Sequence, residues 1–142
     1  MIDFLELQQK IEKQPCLVSL INDEYSTLKV SRYDFKLEYS NDTIVYAYTE
    51  NRDFYLNDLT HSESGKWLIK YVFTISDLQN AEITIHDATT INIIFKEKID
   101  LDIVNKMSDY KHNTIYINEI QLLFSNNEDT LDVFNLFKKL KT

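Results

Sequence analysis

The chain has 142 residues, 44% of them hydrophobic and 27% charged, which fits one globular domain with one core. Its formal net charge is -8, and every basic residue except Arg32 and Arg52 is a lysine. Acidic charge repels phosphate backbones, and the planar guanidinium fork that reads phosphate and guanine is scarce, so direct nucleic-acid binding is not expected. Such a chain suits a basic protein partner reached by electrostatic steering, although the same charge also serves solubility.

Cys16 is the single cysteine, so no internal disulfide forms; beside Leu17 and Val18 it is expected to be buried and inert. Met1 to Glu6 has neither a basic n-region nor an apolar h-region, and no apolar run nears the roughly 20 residues that span a bilayer. The expected location is the cytoplasm, away from membranes. Gly65 and Pro15 are unique, so turns fall to Asn, Asp and Ser. The bias to Asn, Lys, Ile and Tyr suggests an AT-rich, bacterial source.

Residues 2–13 read as a helix. Asp3 and Glu6 have capping-box spacing, Phe4, Leu7 and Ile11 share one face, and Pro15 blocks continuation. Residues 16–31 are ambiguous between helix and strand, with a turn at Asn22-Asp23-Glu24. From Tyr33 the period becomes two. Phe35, Leu37 and Tyr39 alternate with polar residues, Asn41-Asp42 makes a two-residue turn, and Thr43 to Thr49 returns with Ile44, Tyr46 and Tyr48 on one face. Residues 50–65 read as a long polar loop. Lys66 to Ile75 is the strongest strand, with Trp67, Ile69, Tyr71, Phe73 and Ile75 on one face, of which Trp67, Tyr71 and Phe73 are expected in the core. A turn at Ser76 to Asn80 leads to strands at Glu82 to His86 and Thr90 to Lys98, joined through Asp87-Ala88-Thr89. Residues 99–111 carry both strand-like and helix-like spacing. Thr114 to Phe124 is strand-like, with a parity slip that predicts a bulge near Asn118. The last helix, about 128–141, has capping-box spacing at Ser125 and Glu128, acidic residues first and lysines last. Val133, Leu136, Phe137 and Leu140 make its buried face.

The expected fold is one α+β domain over residues 1–142: an antiparallel sheet over about 33–124, bent or closed into a split barrel, with an N-terminal helix and a C-terminal capping helix. The order of the two hairpins, the long Trp67 to Ile75 strand and the terminal helix resembles the pleckstrin-homology-like split barrel over residues 33–142. The phosphoinositide-binding members carry a basic cluster at the first hairpin loop. Here that loop is Ser40-Asn41-Asp42, so headgroup binding is not carried over, and the N-terminal helix lies outside the pattern.

No motif carries a reaction. His61, His86 and His112 lack zinc spacing, and His86-Asp87 lacks a second ligand set. Glu97, Asp100 and Asp102 lack a calcium loop's further oxygens and glycine. One glycine excludes a phosphate-cradling loop. Asp58, His61 and Ser64 hold the residue types of a hydrolase triad, but in one polar loop without the rigid framework a triad needs. No enzyme activity, cofactor or metal is expected. The aromatics, nine Tyr, eight Phe and one Trp, are core or interface anchors. The expected function is protein binding, in the manner of an acidic immunity or inhibitor protein that blocks a basic partner. Glu50, Asp53, Tyr55 and Asp58 are the expected contacts, with Tyr55 exposed. The alternative is a self-associating assembly subunit of phage or secretion-system type.

Overall fold

Asn41 and Asp42 shape a long hairpin at the centre of the protein. In the structure, a computed structural model that describes residues 2–56, 61–106 and 112–141, their φ angles are 51° and 62°. That is the twist a two-residue hairpin turn requires, and Asn and Asp tolerate it better than other side chains. From this turn β2 (Ser26–Ser40) and β3 (Thr43–Leu56) pair antiparallel, beginning at Ser40 opposite Thr43.

The other elements are α1 (Ile2–Glu12), β1 (Leu17–Asn22), β4 (His61–Thr74), α2 (Ile75–Gln79), β5 (Glu82–Asp87), β6 (Thr90–Asn105), β7 (His112–Leu123) and α3 (Asn127–Lys141). The strands make one seven-stranded antiparallel sheet in the order β1-β2-β3-β4-β6-β5, with β7 also on β6. The expected α+β class, with a helix at each end of the chain, holds. No helix among the described residues is long and apolar enough to cross a membrane.

β6 organises the sheet by changing neighbours. Its first residues pair β5, Asp100 to Asn105 pair β4, and β7 runs beside both parts. At the switch the register jumps from Ile94–Glu119 to Ile99–Ile117: an irregularity falls near Asn118 as the parity slip predicts, but the extra residues, 95–98, are on β6 and not on β7. A second irregularity bends β2. Between Tyr33 and Lys36 the strand carries one residue more than β3, and Asp34 has φ 54°. Arg32 thereby comes to the same face as Phe35 and Leu37, against the alternation.

Five stretches differ from the sequence reading. The ambiguous residues 16–31 form β1 and the start of β2, joined by a turn in which Asp23 Oδ1 accepts from the Tyr25 and Ser26 backbones at 2.7 Å. Much of the expected loop 50–65 is strand, because charged pairs replace hydrophobic alternation there. Ile75 leaves the strand and opens α2, where Thr74 and Asp77 form a capping box. Residues 99–105 continue β6. The α3 cap is Asn126 rather than Ser125: Asn126 Oδ1 accepts from the Asp129 backbone at 2.8 Å, and its amide donates to Asp129 Oδ2 at 2.9 Å.

α1 covers sheet edges that the strands leave open. Gln8 donates to the Leu37 carbonyl at 2.7 Å, and the Leu37 N–H donates to Glu12 at 3.1 Å, beyond the point where β1 stops pairing with β2. Gln14, just after α1, donates to the Leu123 carbonyl of β7 at 2.9 Å. Uncovered edge groups template aggregation, and side chains here occupy them. The same helix buries Phe4, Leu7 and Ile11, while α3 buries Val133, Leu136 and Phe137. Lys10 ties the two helices through Asp132 at 3.1 Å. Each such buried side chain contributes roughly 1.5–3 kcal/mol.

The single glycine has a packing reason. A Cβ on Gly65 would lie 2.1 Å from Trp67 Cη2, so the indole lies against the bare Cα. Gly65→Ala is expected to lower stability by about 1–3 kcal/mol, because the ring must leave its seat. Denaturant unfolding followed by the single Trp measures both the loss and the ring's changed environment.

Candidate functional site

Both arginines of the chain converge on one carboxylate. Glu50 on β3 is 1% exposed. Its Oε1 accepts from Arg32 Nε at 2.8 Å, and its Oε2 accepts from Arg52 Nε at 2.9 Å, with Arg52 Nη2 also at 2.9 Å. Register explains the meeting: Arg32 lies directly opposite Glu50 on β2, and Arg52 follows it by two along β3. Each guanidinium also lies over an aromatic ring, Arg32 at 5.1 Å from Tyr48 and Arg52 at 5.2 Å from Trp67. These are charge-assisted bonds in a partly desolvated setting, with cation–π support.

Below this triad lies a tyrosine layer. Tyr46 stacks on Tyr71 at 5.8 Å, and the Tyr48 and Tyr71 hydroxyls meet at 3.4 Å. Tyr46 and Tyr48 are buried, while Tyr71 and Trp67 are half-buried. Burial first, then the neighbouring Tyr71, pushes the phenols of Tyr46 and Tyr48 above their ordinary range, against the lowering effect of Arg32. On the open side, Arg32 and Tyr71 share a cleft of about 280 Å³ with Glu119 and Gln121 of β7. Residues of β2 and β7 line one cleft only because the sheet is strongly curved.

The structure does not assemble the expected contact set. Glu50 is not presented to a partner, because its carboxylate is enclosed by the two arginines. Asp53 and Tyr55 lie on the opposite face of β3 from Glu50, since side chains alternate along a strand. Tyr55 is half-buried rather than exposed, on a strand rather than in a loop. Asp58 lies outside the described residues, and with it the Asp58, His61 and Ser64 grouping. Sequence reasoning missed Arg32 and Arg52 as site residues; their being the only arginines was the available signal. Cys16 is exposed, not buried, because it precedes a strand open to solvent.

That strand is the second notable surface. Among the described residues β1 pairs only β2, and Val18, Leu20 and Ile21 are 54%, 61% and 58% exposed. Leu17 to Asn22 contains no charge and no proline, the usual devices that blunt an edge. Elsewhere, a groove of about 280 Å³ between α1 and α3 includes Lys10, already bonded to Asp132. Among the described residues no group of three or more His, Cys, Asp or Glu is placed to hold a metal ion. No protein-family model matches the chain, and no curated protein or solved structure matches it.

Glu50→Ala is expected to cost about 1–3 kcal/mol, because it removes the charged hydrogen bonds of both arginines at once and leaves them, at 27% and 52% exposure, to water. Arg52→Ala costs much less, because its side chain is 52% exposed and its pairing is screened. Urea unfolding of both variants checks the order. For pH, the raised phenols contribute stability that is complete below about 10 and declines as pH rises beyond it. A tyrosinate absorbance titration is expected to show the Tyr46 and Tyr48 phenols ionising only as the protein unfolds, a step lost in a Tyr46→Phe, Tyr48→Phe double variant.

Proposed function

We propose that this chain is a non-enzymatic protein-binding domain that receives its partner by strand addition to β1. The exposed, uncharged β1 edge is the observation that carries this reading. Strand addition needs a row of free backbone donors and acceptors for affinity and alternating side chains for specificity. Leu17 to Asn22 offers the row along its outer side, and exposed Val18, Leu20 and Ile21 offer the side chains. The formal charge of -8 favours a partner basic around its pairing segment, which suits an acidic immunity or inhibitor protein. Asp53 and Tyr55 lie two strands in from this edge, where Leu28 of β2 pairs both Ile21 and Phe54. In this reading the curvature that brings β2 and β7 together is that of a pleckstrin-homology-like split barrel with α1 across the split.

A second reading has β1 pair with β1 of another copy about a two-fold axis. The lack of charge on this strand favours it, because edge-to-edge pairing there sets no like charges directly opposite each other within a chain that otherwise repels itself.

Capture from the native lysate on immobilised protein and on its Leu20→Lys variant separates these readings. A basic protein held at low salt, released at high salt and lost with the variant is the expected result. Equal retention by both forms contradicts binding at β1. Mass that rises with concentration and falls to the monomer in Leu20→Lys selects the second reading.

A further inference from the structure

Arg32 has more donors than Glu50 uses. Its Nε is committed to Glu50 Oε1, and among the described residues its two terminal nitrogens make no hydrogen bond. A guanidinium carries five N–H donors in a rigid fork, and the unused ones match the two oxygens of a carboxylate. Arg32 borders the cleft between β2, β4 and β7, together with Tyr71, Gln121 and Glu119. Glu119 and Arg32 line this one cleft without forming an ion pair; the ion pair of Arg32 is with Glu50.

We infer that this cleft binds a small zwitterion of the α-amino acid class, with its carboxylate on the Arg32 fork and its ammonium on Glu119. A simple anion is repelled by Glu119, and a simple amine by Arg32. A molecule carrying both charges a short distance apart satisfies both walls. The Tyr71 hydroxyl and the Gln121 amide then serve as further donors to the carboxylate. Arg32 is held ready for this: buried Glu50 anchors its Nε, and the Tyr48 ring supports its plane. A fork oriented in advance loses less freedom on binding than a free one. The lining is polar, so recognition falls on the charged groups common to all amino acids rather than on one side chain. The inference rests on β2, β4 and β7 and is independent of the partner edge at β1.

The test is a titration of the full chain with glycine, acetate and methylammonium, followed by ¹H–¹⁵N shifts of the Arg32 Nε–H and the Gln121 side-chain amide. Saturable shifts with glycine are expected, with acetate and methylammonium each weaker by about ten-fold or more, the effect of one lost charged hydrogen bond. Glu119 is exposed, so Glu119→Gln leaves the core intact. This variant is expected to weaken glycine about ten-fold while leaving acetate no weaker. Acetate binding as tightly as glycine, glycine binding unchanged in Glu119→Gln, or no saturable shift with glycine would each overturn the inference.

Discussion

An antiparallel sheet that does not close must do something with its edges, and this constraint governs the rest of the molecule. Backbone N–H and C=O groups left unpaired away from water carry a cost comparable to a lost hydrogen bond. Here the upper part of β2 and the end of β7 are bonded by side chains on or just after α1, through Gln8, Glu12 and Gln14. The N-terminal helix is thus a part of the sheet's hydrogen-bond accounting as well as a hydrophobic cover. Among the described residues β1 has no such cover, and it is the strand that carries no charge.

The Glu50 cluster answers a different requirement. Arg32, Glu50 and Arg52 are charged residues at paired strand positions of β2 and β3. Two arginines on one buried carboxylate, each over a ring, hold the register there without a hydrophobic stripe. Arg32 also lines a cleft, and Glu50 takes a hydrogen bond from its Nε. A structural ion cluster and a ligand site are therefore compatible uses of Arg32, since one engages Nε and the other the terminal nitrogens.

What the sequence made legible was whatever rests on periodicity and turn chemistry. The α1 face of Phe4, Leu7 and Ile11, the Asn41-Asp42 hairpin, the inward side of β4 and the irregularity near Asn118 all follow from local pattern. The outer half of β3 did not show, because Glu50 and Arg52 are polar residues in strand positions and find their partners across the sheet. The stretch 16–31 stayed ambiguous because β1 is exposed on both faces and so carries no two-residue period. The Asp34 bulge, which moves Arg32 to the inner face, leaves no mark in hydropathy. Glu50 looked like a surface carboxylate because Arg32, its partner across the sheet, is far away in the chain, and Arg52 two residues on gives no sign of burial. Burial of a charge is decided by tertiary pairing, which periodicity does not encode.

Residue-resolved amide hydrogen exchange tests this account most directly, because it reads which edges are covered. The account predicts that the Leu37 N–H, bonded to Glu12, is protected to the level of the β3 core, while the outward-facing amides of Leu17 to Asn22 exchange rapidly in the isolated chain. Slow exchange of every β1 amide in the monomer, or rapid exchange at Leu37, would contradict it.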